Sequence, residues 1–269
     1  MKRLACIALT LITICAKAQV GSFNLGARSA GMAGASLTLG DEYSLFNNIG
    51  GMGRVENHAA FATYQNRYGI SQFQVIGAGA LYHTDIGNAG VGFYKFGDDL
   101  YSEQRVHLAV GNKIQMVSLA IGVDLLQYHV STVSTSQALA IQFGGIAEIT
   151  PQLRFGAHVF NLNQAEVGSE TGDKIPTVMK GGLSYRPSEE LMLNLEVEKD
   201  LDFNEVFKAG IEYQIVEHVF LRTGISTEPF LGAFGVGFHP KNLKFDYAFS
   251  NDSKLENIHE ISVAYSFKK

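Results

Sequence analysis

Between positions 191 and 267 apolar and polar side chains alternate at nearly every step, in five successive segments. Neighbouring side chains of a strand point to opposite faces, so each segment carries one oily side and one polar side. Leu191, Leu193, Leu195 and Val197 interleave with Met192, Asn194, Glu196 and Glu198. Phe207, Ala209, Ile211, Tyr213 and Ile215 interleave with Lys208, Gly210, Glu212 and Gln214. The same period runs through 219–225, 243–249 and 261–267. A soluble sandwich produces this alternation too, so the lengths of the strands and of their links must decide between the two.

Fourteen candidate strands follow from the pattern: 56–65, 70–83, 89–96, 103–111, 114–128, 137–149, 152–161, 177–186, 190–198, 205–215, 218–226, 230–239, 242–250 and 258–267. Nearly all reach the roughly 9 to 11 residues that a tilted membrane strand needs, against about 5 or 6 in soluble domains. Fourteen is even, as closure of a bacterial membrane barrel requires. Alternate links are short and rich in turn formers, as in Asn112-Lys113, Thr150-Pro151, Val216-Glu217 and Pro240-Lys241. The intervening links, 97–102, 129–136, 162–176, 199–204 and 251–257, include all the long ones. Short turns on one rim and longer loops on the other belong to outer-membrane barrels. The expected fold is all-β, a closed antiparallel transmembrane β-barrel. Its Phe and Tyr, 29 in all, supply interfacial girdles, although Trp is absent.

The chain starts with Lys2 and Arg3, an apolar run over 4–15, and Ala16-Lys17-Ala18, which together read as a secretory signal peptide cleaved before Gln19. Both cysteines, Cys6 and Cys15, fall in that leader, so a disulfide framework is not available to the mature chain. Without the leader 18 basic residues face 26 acidic ones, a net charge of −8 that argues against nucleic acid as a partner. The organisation expected is a signal peptide over 1–18, an N-terminal hatch over 19–54 and a barrel over 55–269 located in a Gram-negative-type outer membrane, with lipid as its surroundings. Residues 26–53 hold seven glycines, which let backbone lie close against a wall. Asp41, with Glu42, is expected to cap a short helix there.

The polar faces of the C-terminal strands carry Glu196, Glu198, Lys208, Glu212, Arg222, Lys244, Asp246 and Glu260. A charge facing lipid at mid-depth costs about 2 to 4 kcal/mol, and a cross-strand ion pair contributes roughly 0.2 to 1, so these residues are assigned to the lumen as a ladder. Arg28 of the hatch is expected to meet one of the wall acids.

Gly26-Ala27-Arg28-Ser29-Ala30-Gly31-Met32-Ala33-Gly34-Ala35, then Asp41-Glu42-Tyr43 and Asn47-Asn48-Ile49-Gly50-Gly51, resembles the N-terminal signature of the PorV/PorQ family, with Asn48-Ile49-Gly50-Gly51 where that family has Asn-Pro-Ala-Gly. Phe207-Lys208-Ala209-Gly210-Ile211-Glu212-Tyr213 and Phe245-Asp246-Tyr247-Ala248-Phe249 carry the likeness into the C-terminal half. The resemblance implies a FadL-like barrel with a hatch, non-enzymatic, acting with type IX secretion components or secreted cargo. The short outer loops of this chain weigh against a cargo-shuttle role. A different class of function is passage of a hydrophobic small molecule through the wall, which calls for a gap in strand pairing and an apolar pocket, with Phe23, Leu25, Met32 and Leu37 as its lining.

An enzymatic reading rests on His129-Val130-Ser131, in which the histidine would activate the serine and Asp124 would orient it. That spacing is common by chance. The eight histidines are dispersed without metal-ligand spacing, and no cofactor is implied. Gly77-Ala78-Gly79 and Gly235-Val236-Gly237 lie inside strands and read as close contacts with the hatch rather than phosphate loops.

Overall fold

The computed structural model describes residues 24–131, 134–167, 173–252 and 256–267. The leader and Phe23 lie outside the described residues. The strands are β1 (His58–Arg67), β2 (Gln74–Thr84), β3 (Gly87–Gly97), β4 (Tyr101–Ile114), β5 (Val117–Val130), β6 (Ser134–Glu148), β7 (Leu153–Phe160), β8 (Glu166–Val167), β9 (Asp173–Lys174), β10 (Val178–Tyr185), β11 (Leu191–Asp200), β12 (Val206–Val216), β13 (Val219–Thr227), β14 (Phe230–Phe238), β15 (Leu243–Asp252) and β16 (Asn257–Phe267). Fourteen of them close into one antiparallel barrel, in chain order from β1 to β7 and β10 to β16, with β16 returning to β1. β8 and β9 form a separate two-stranded ribbon in the link between β7 and β10.

The alternation read from the sequence is the alternation of the wall. On β11 Leu195 is 61% exposed and Glu196 3%; on β5 Ile121 is 52% exposed and Asp124 fully covered. Oily faces therefore point outward around the ring and charges point inward, the arrangement that spares each charge the cost of meeting lipid. Aromatics crowd the outward face at one end, where Tyr82, Tyr185, Tyr213, Phe238, Phe245, Tyr265 and Phe267 are exposed. This is the end of the short turns, several of which use a left-handed residue: Gln115 at φ 56°, His218 at 70° and Lys241 at 54°. Positive φ at a turn matches the twist of the strands it joins.

The opposite rim departs from expectation. Strands run further there than the hydrophobic pattern suggested, so β3 and β4 are joined by 98–100, β5 and β6 by 131–133, and β11 and β12 by 201–205. Each added residue pair satisfies further backbone N–H and C=O groups, which favours prolonging a ladder over leaving a loop. The link 161–177 alone remains long.

Inside the ring, residues 24–55 form two short helices, α1 (Ala27–Ala30) and α2 (Ser44–Asn47), and a 3-10 turn over Ile49–Arg54. Asp41 does not cap α2 and Glu42 is not in its first turn, contrary to the expectation. Tyr43 is the N-cap residue, without a side-chain cap bond. The Asp41 carboxylate instead accepts from the Tyr43 N–H at 3.1 Å and from Arg28 at 3.0 Å. Its two oxygens are thus divided between a guanidinium and the backbone N–H of the residue before the helix.

Candidate functional site

The site is the surface along which the N-terminal segment meets the wall, and it involves all fourteen barrel strands. On the β1 to β7 side the segment presents apolar side chains and the wall makes room with small residues. Tyr43 packs tilted against Phe61 of β1, with 4.6 Å between ring centres. Leu25 fills the space above Gly77 of β2, and Leu45 and Phe46 cover Gly90 and Gly92 of β3. Gly53 lies on Asn112 of β4, and Arg54 donates to Ser118 of β5 at 3.1 Å. Gly50 rests directly on Gly145 of β6, and Leu37 on Gly156 of β7. Leu45, Phe46, Ile49 and Met52 are covered by this packing.

The β10 to β16 side is held by charge. Lys180 of β10 donates to Asn24 at 2.7 Å. Glu196 of β11 accepts from the backbone N–H groups of Ser36 and Leu37, both at 3.0 Å. Lys208 of β12 lies opposite Glu196 in register and reaches Glu196 at 3.4 Å and Glu198 at 2.5 Å. Arg28 forms a two-pronged pair with Glu212 at 2.8 and 2.5 Å. Burial opposes the Arg28 charge, but Glu212 and Asp41 outweigh it and hold the guanidinium well above its ordinary range. Arg222 of β13 binds the same Glu212 at 2.7 Å and Asp246 of β15 at 2.6 Å, while His239 reaches Asp246 at 2.9 Å. Gly31 lies against Gly235 of β14. Lys244 of β15 pairs with Glu42 of the segment at 2.7 Å rather than with a wall acid. Glu260 of β16 accepts from the Gly26 N–H at 2.7 Å, from Thr63 at 2.8 Å and from Gln65 at 2.9 Å. Three acids on this side of the wall thus bind the segment directly, two of them through its backbone.

A second network, on the β4 to β7 side, left no signal in the residue pattern. Asp124 binds Arg105 and accepts from His107 at 2.8 Å and Gln142 at 2.6 Å; Gln142 in turn meets His158 at 2.7 Å. Arg105 lies over the rings of Phe46 and Phe160. These residues come from four strands at wide separations, and only the register that aligns Arg105, His107, Asp124 and Gln142 brings them together. Asp124 is consequently unavailable to His129. The two residues lie five apart on β5 and so face opposite sides, and His129 pairs with Thr135 at 2.8 Å. The hydrolase arrangement proposed for His129, Ser131 and Asp124 is not assembled.

Nor do Leu25, Met32 and Leu37 line one pocket. Leu25 packs by Gly77, Met32 against Gly210 and Gly224, and Leu37 by Gly156 and Gly182, three separate stretches of wall. The turns of this segment carry the three side chains to different strands. Depressions open on the wall instead, one of ≈ 480 Å³ beside Val110, Leu119, Ile121 and Phe143 and one of ≈ 460 Å³ elsewhere on the ring, beside Leu183, Leu195 and Phe207. These are outward-facing residues of the wall.

The wall itself is interrupted. β6 pairs with β7 only from Phe143 to Glu148, and its upper part continues from Ser134 without a barrel partner on that side. β7 and β10 are the shortest barrel strands, at 8 residues each. Asn163 closes the break: its side chain accepts from the Ile141 N–H and donates to the Leu139 carbonyl, both at 2.8 Å. Leu126, Ala140, Phe160, Ile175 and Val178 form a covered apolar cluster behind it.

Architecture and site together define a class: a closed fourteen-stranded antiparallel barrel with an N-terminal segment seated against its inner wall. Solved structures of that class align with nearly the whole chain. A mutant of the TodX monoaromatic hydrocarbon channel superposes with a TM-score of 0.69 at 12% identity, over 91% of this chain and 99% of that one. A Pseudomonas aeruginosa FadL homologue gives 0.67 at 11% identity over 92% and 100%, and the Pseudomonas putida toluene transporter TodX gives 0.64 at 11% over 90% and 96%. The chain shares the fold of these FadL-type barrels. No protein-family model matches the sequence, and no curated protein does.

Proposed function

We propose that this protein is a non-enzymatic outer-membrane channel for hydrophobic small molecules, in which the N-terminal segment is the hatch and the break between β6 and β7 is a side door. The break carries the reading. Above Phe143 the strand pairing stops, the Leu162 N–H donating to the Ile141 carbonyl at 2.8 Å and the Asn163 side chain bridge the opening, and an apolar cluster lies directly behind it. A membrane strand needs about 9 to 11 residues to cross, so a wall of 8-residue strands ends within the reach of the outer leaflet. A molecule leaving there enters lipid without crossing the charged lumen. The FadL and TodX likeness supports the reading through the fold. The test is uptake of radiolabelled toluene by lipid vesicles bearing the purified protein. The expected result is uptake faster than by empty vesicles and slowed when a disulfide is engineered between β6 and the link after β7. Equal rates in all three samples would reject it.

A second reading, a partner in type IX secretion, keeps one observation in its favour. The residues that resemble PorV/PorQ are the ones that seat the segment, with Arg28 on Glu212 and Gly31 on Gly235. A firmly seated segment suits a barrel that serves as a docking platform. Recovery with secretion components from outer membranes, with no toluene uptake, would favour it.

A further inference from the structure

One half of the short-turn mouth is lined with cations. Lys113 of β4, Glu148 of β6 and Arg154 of β7 fall on the inward faces of their strands, an even number of residues from His107, Gln142 and His158. Arg54 ends the N-terminal segment beside them, and Arg186 follows β10. Glu148 serves three of the four cations: it binds Arg54, lies 3.3 Å from Arg154 and 3.9 Å from Lys113. Arg186 has no carboxylate partner among the described residues. Its Nη2 meets the Met192 sulfur at 3.3 Å, and its Nε is covered without a partner. Burial first, then Arg28 and Arg154 nearby, pull the Arg186 guanidinium below its ordinary range against the opposing charge of Glu212. Across the mouth the charges are matched, Arg28, Arg222 and Lys244 facing Asp41, Glu42, Glu212 and Asp246. Glu189 and Glu190, exposed on the next turn, bound the arc on its far side.

We propose that the arc formed by Lys113, Arg154 and Arg186, with Arg54 covered behind it and held by Glu148, binds an acidic, extended segment of a periplasmic protein. The arc crosses β4, β5, β6, β7 and β10, four strand spacings of about 4.8 Å, or roughly 19 Å. An extended chain covers that distance in about six residues at roughly 3.3 Å each. A row of separated cations suits a chain of carboxylates better than one small anion, and guanidinium forks grip carboxylates through paired hydrogen bonds. That this rim faces the periplasm rests on the outer-membrane placement proposed above.

The test uses the whole protein in lipid nanodiscs and two labelled peptides, hexaglutamate and hexaglutamine, followed by fluorescence anisotropy. Hexaglutamate is expected to bind at least tenfold more tightly than hexaglutamine, to weaken with added salt, and to lose at least tenfold in the Arg154→Gln/Arg186→Gln variant. Lys113→Gln, at an exposed rim position, is expected to lose two- to threefold, and Lys241→Gln, on the matched half, nothing. Equal binding of both peptides, an unchanged Kd in the double variant and in Lys113→Gln, or displacement by inorganic phosphate at matched ionic strength would overturn the proposal. The orientation is read separately. A single cysteine at Met116 in intact cells, in a mature chain with no other thiol, reacts with an impermeant maleimide only if the rim is outside.

Discussion

Glu212 shows how much one side chain carries here, because it holds a guanidinium from the wall, Arg222, and one from the segment, Arg28, at the same carboxylate. Without it Arg28 keeps Asp41 and Arg222 keeps Asp246, so the loss is that of hydrogen bonds to a charged group, about 1.5–3 kcal/mol, rather than of a lone buried charge. Glu212→Ala is therefore expected to lower unfolding stability by that order, read as a lower urea midpoint for the detergent-folded barrel. A midpoint within error of the parent would mean that Arg28 and Arg222 find water instead. Gly50 tests the apolar side. A Cβ added there would lie 2.4 Å from the Gly145 backbone, which cannot yield as a side chain could. Gly50→Ala is expected to lift the 3-10 turn off β6 and expose the segment to limited proteolysis, with the barrel band intact on a gel.

At the scale of elements, the strands were legible because burial on one face of a membrane wall imposes a period of two that nothing local interrupts. Leu193 to Val197 and Phe207 to Tyr213 declare their faces outright. The outer ends of β4, β5 and β6 were less so, since beyond the bilayer a strand no longer needs an oily side. The break beside β7 could not be read at all: Asn163 is a common loop residue until its side chain is seen imitating a missing strand. Asn163→Ala would leave the Ile141 N–H and the Leu139 carbonyl without those partners. Hydrogen exchange should then accelerate at Ile141 while Val159, within the paired part of β7, stays protected. Uniform acceleration along β6 and β7 would contradict a local closure.

For the whole molecule, the segment and the ring are two halves of one interior. Apolar packing joins them on one side and ion pairs on the other. Deleting 24–54 is expected to leave a water-filled ring whose lumen still suits its charged lining, so planar bilayers that are silent with the full chain should show ion conductance. Silence from the shortened, folded barrel would mean that the wall collapses inward or that something else closes it.

The alternation of side chains by itself determined a ring of fourteen strands, its oily exterior and its ionic interior, because each of those follows from which solvent a single strand face must meet. Partnership was settled only in three dimensions. Lys244 chose Glu42 over the wall, Asp124 joined Arg105 and His107 rather than His129, and Leu25, Met32 and Leu37 went to different places. Such choices depend on register between strands and on the path of a non-repetitive segment, and neither leaves a periodic trace in the chain.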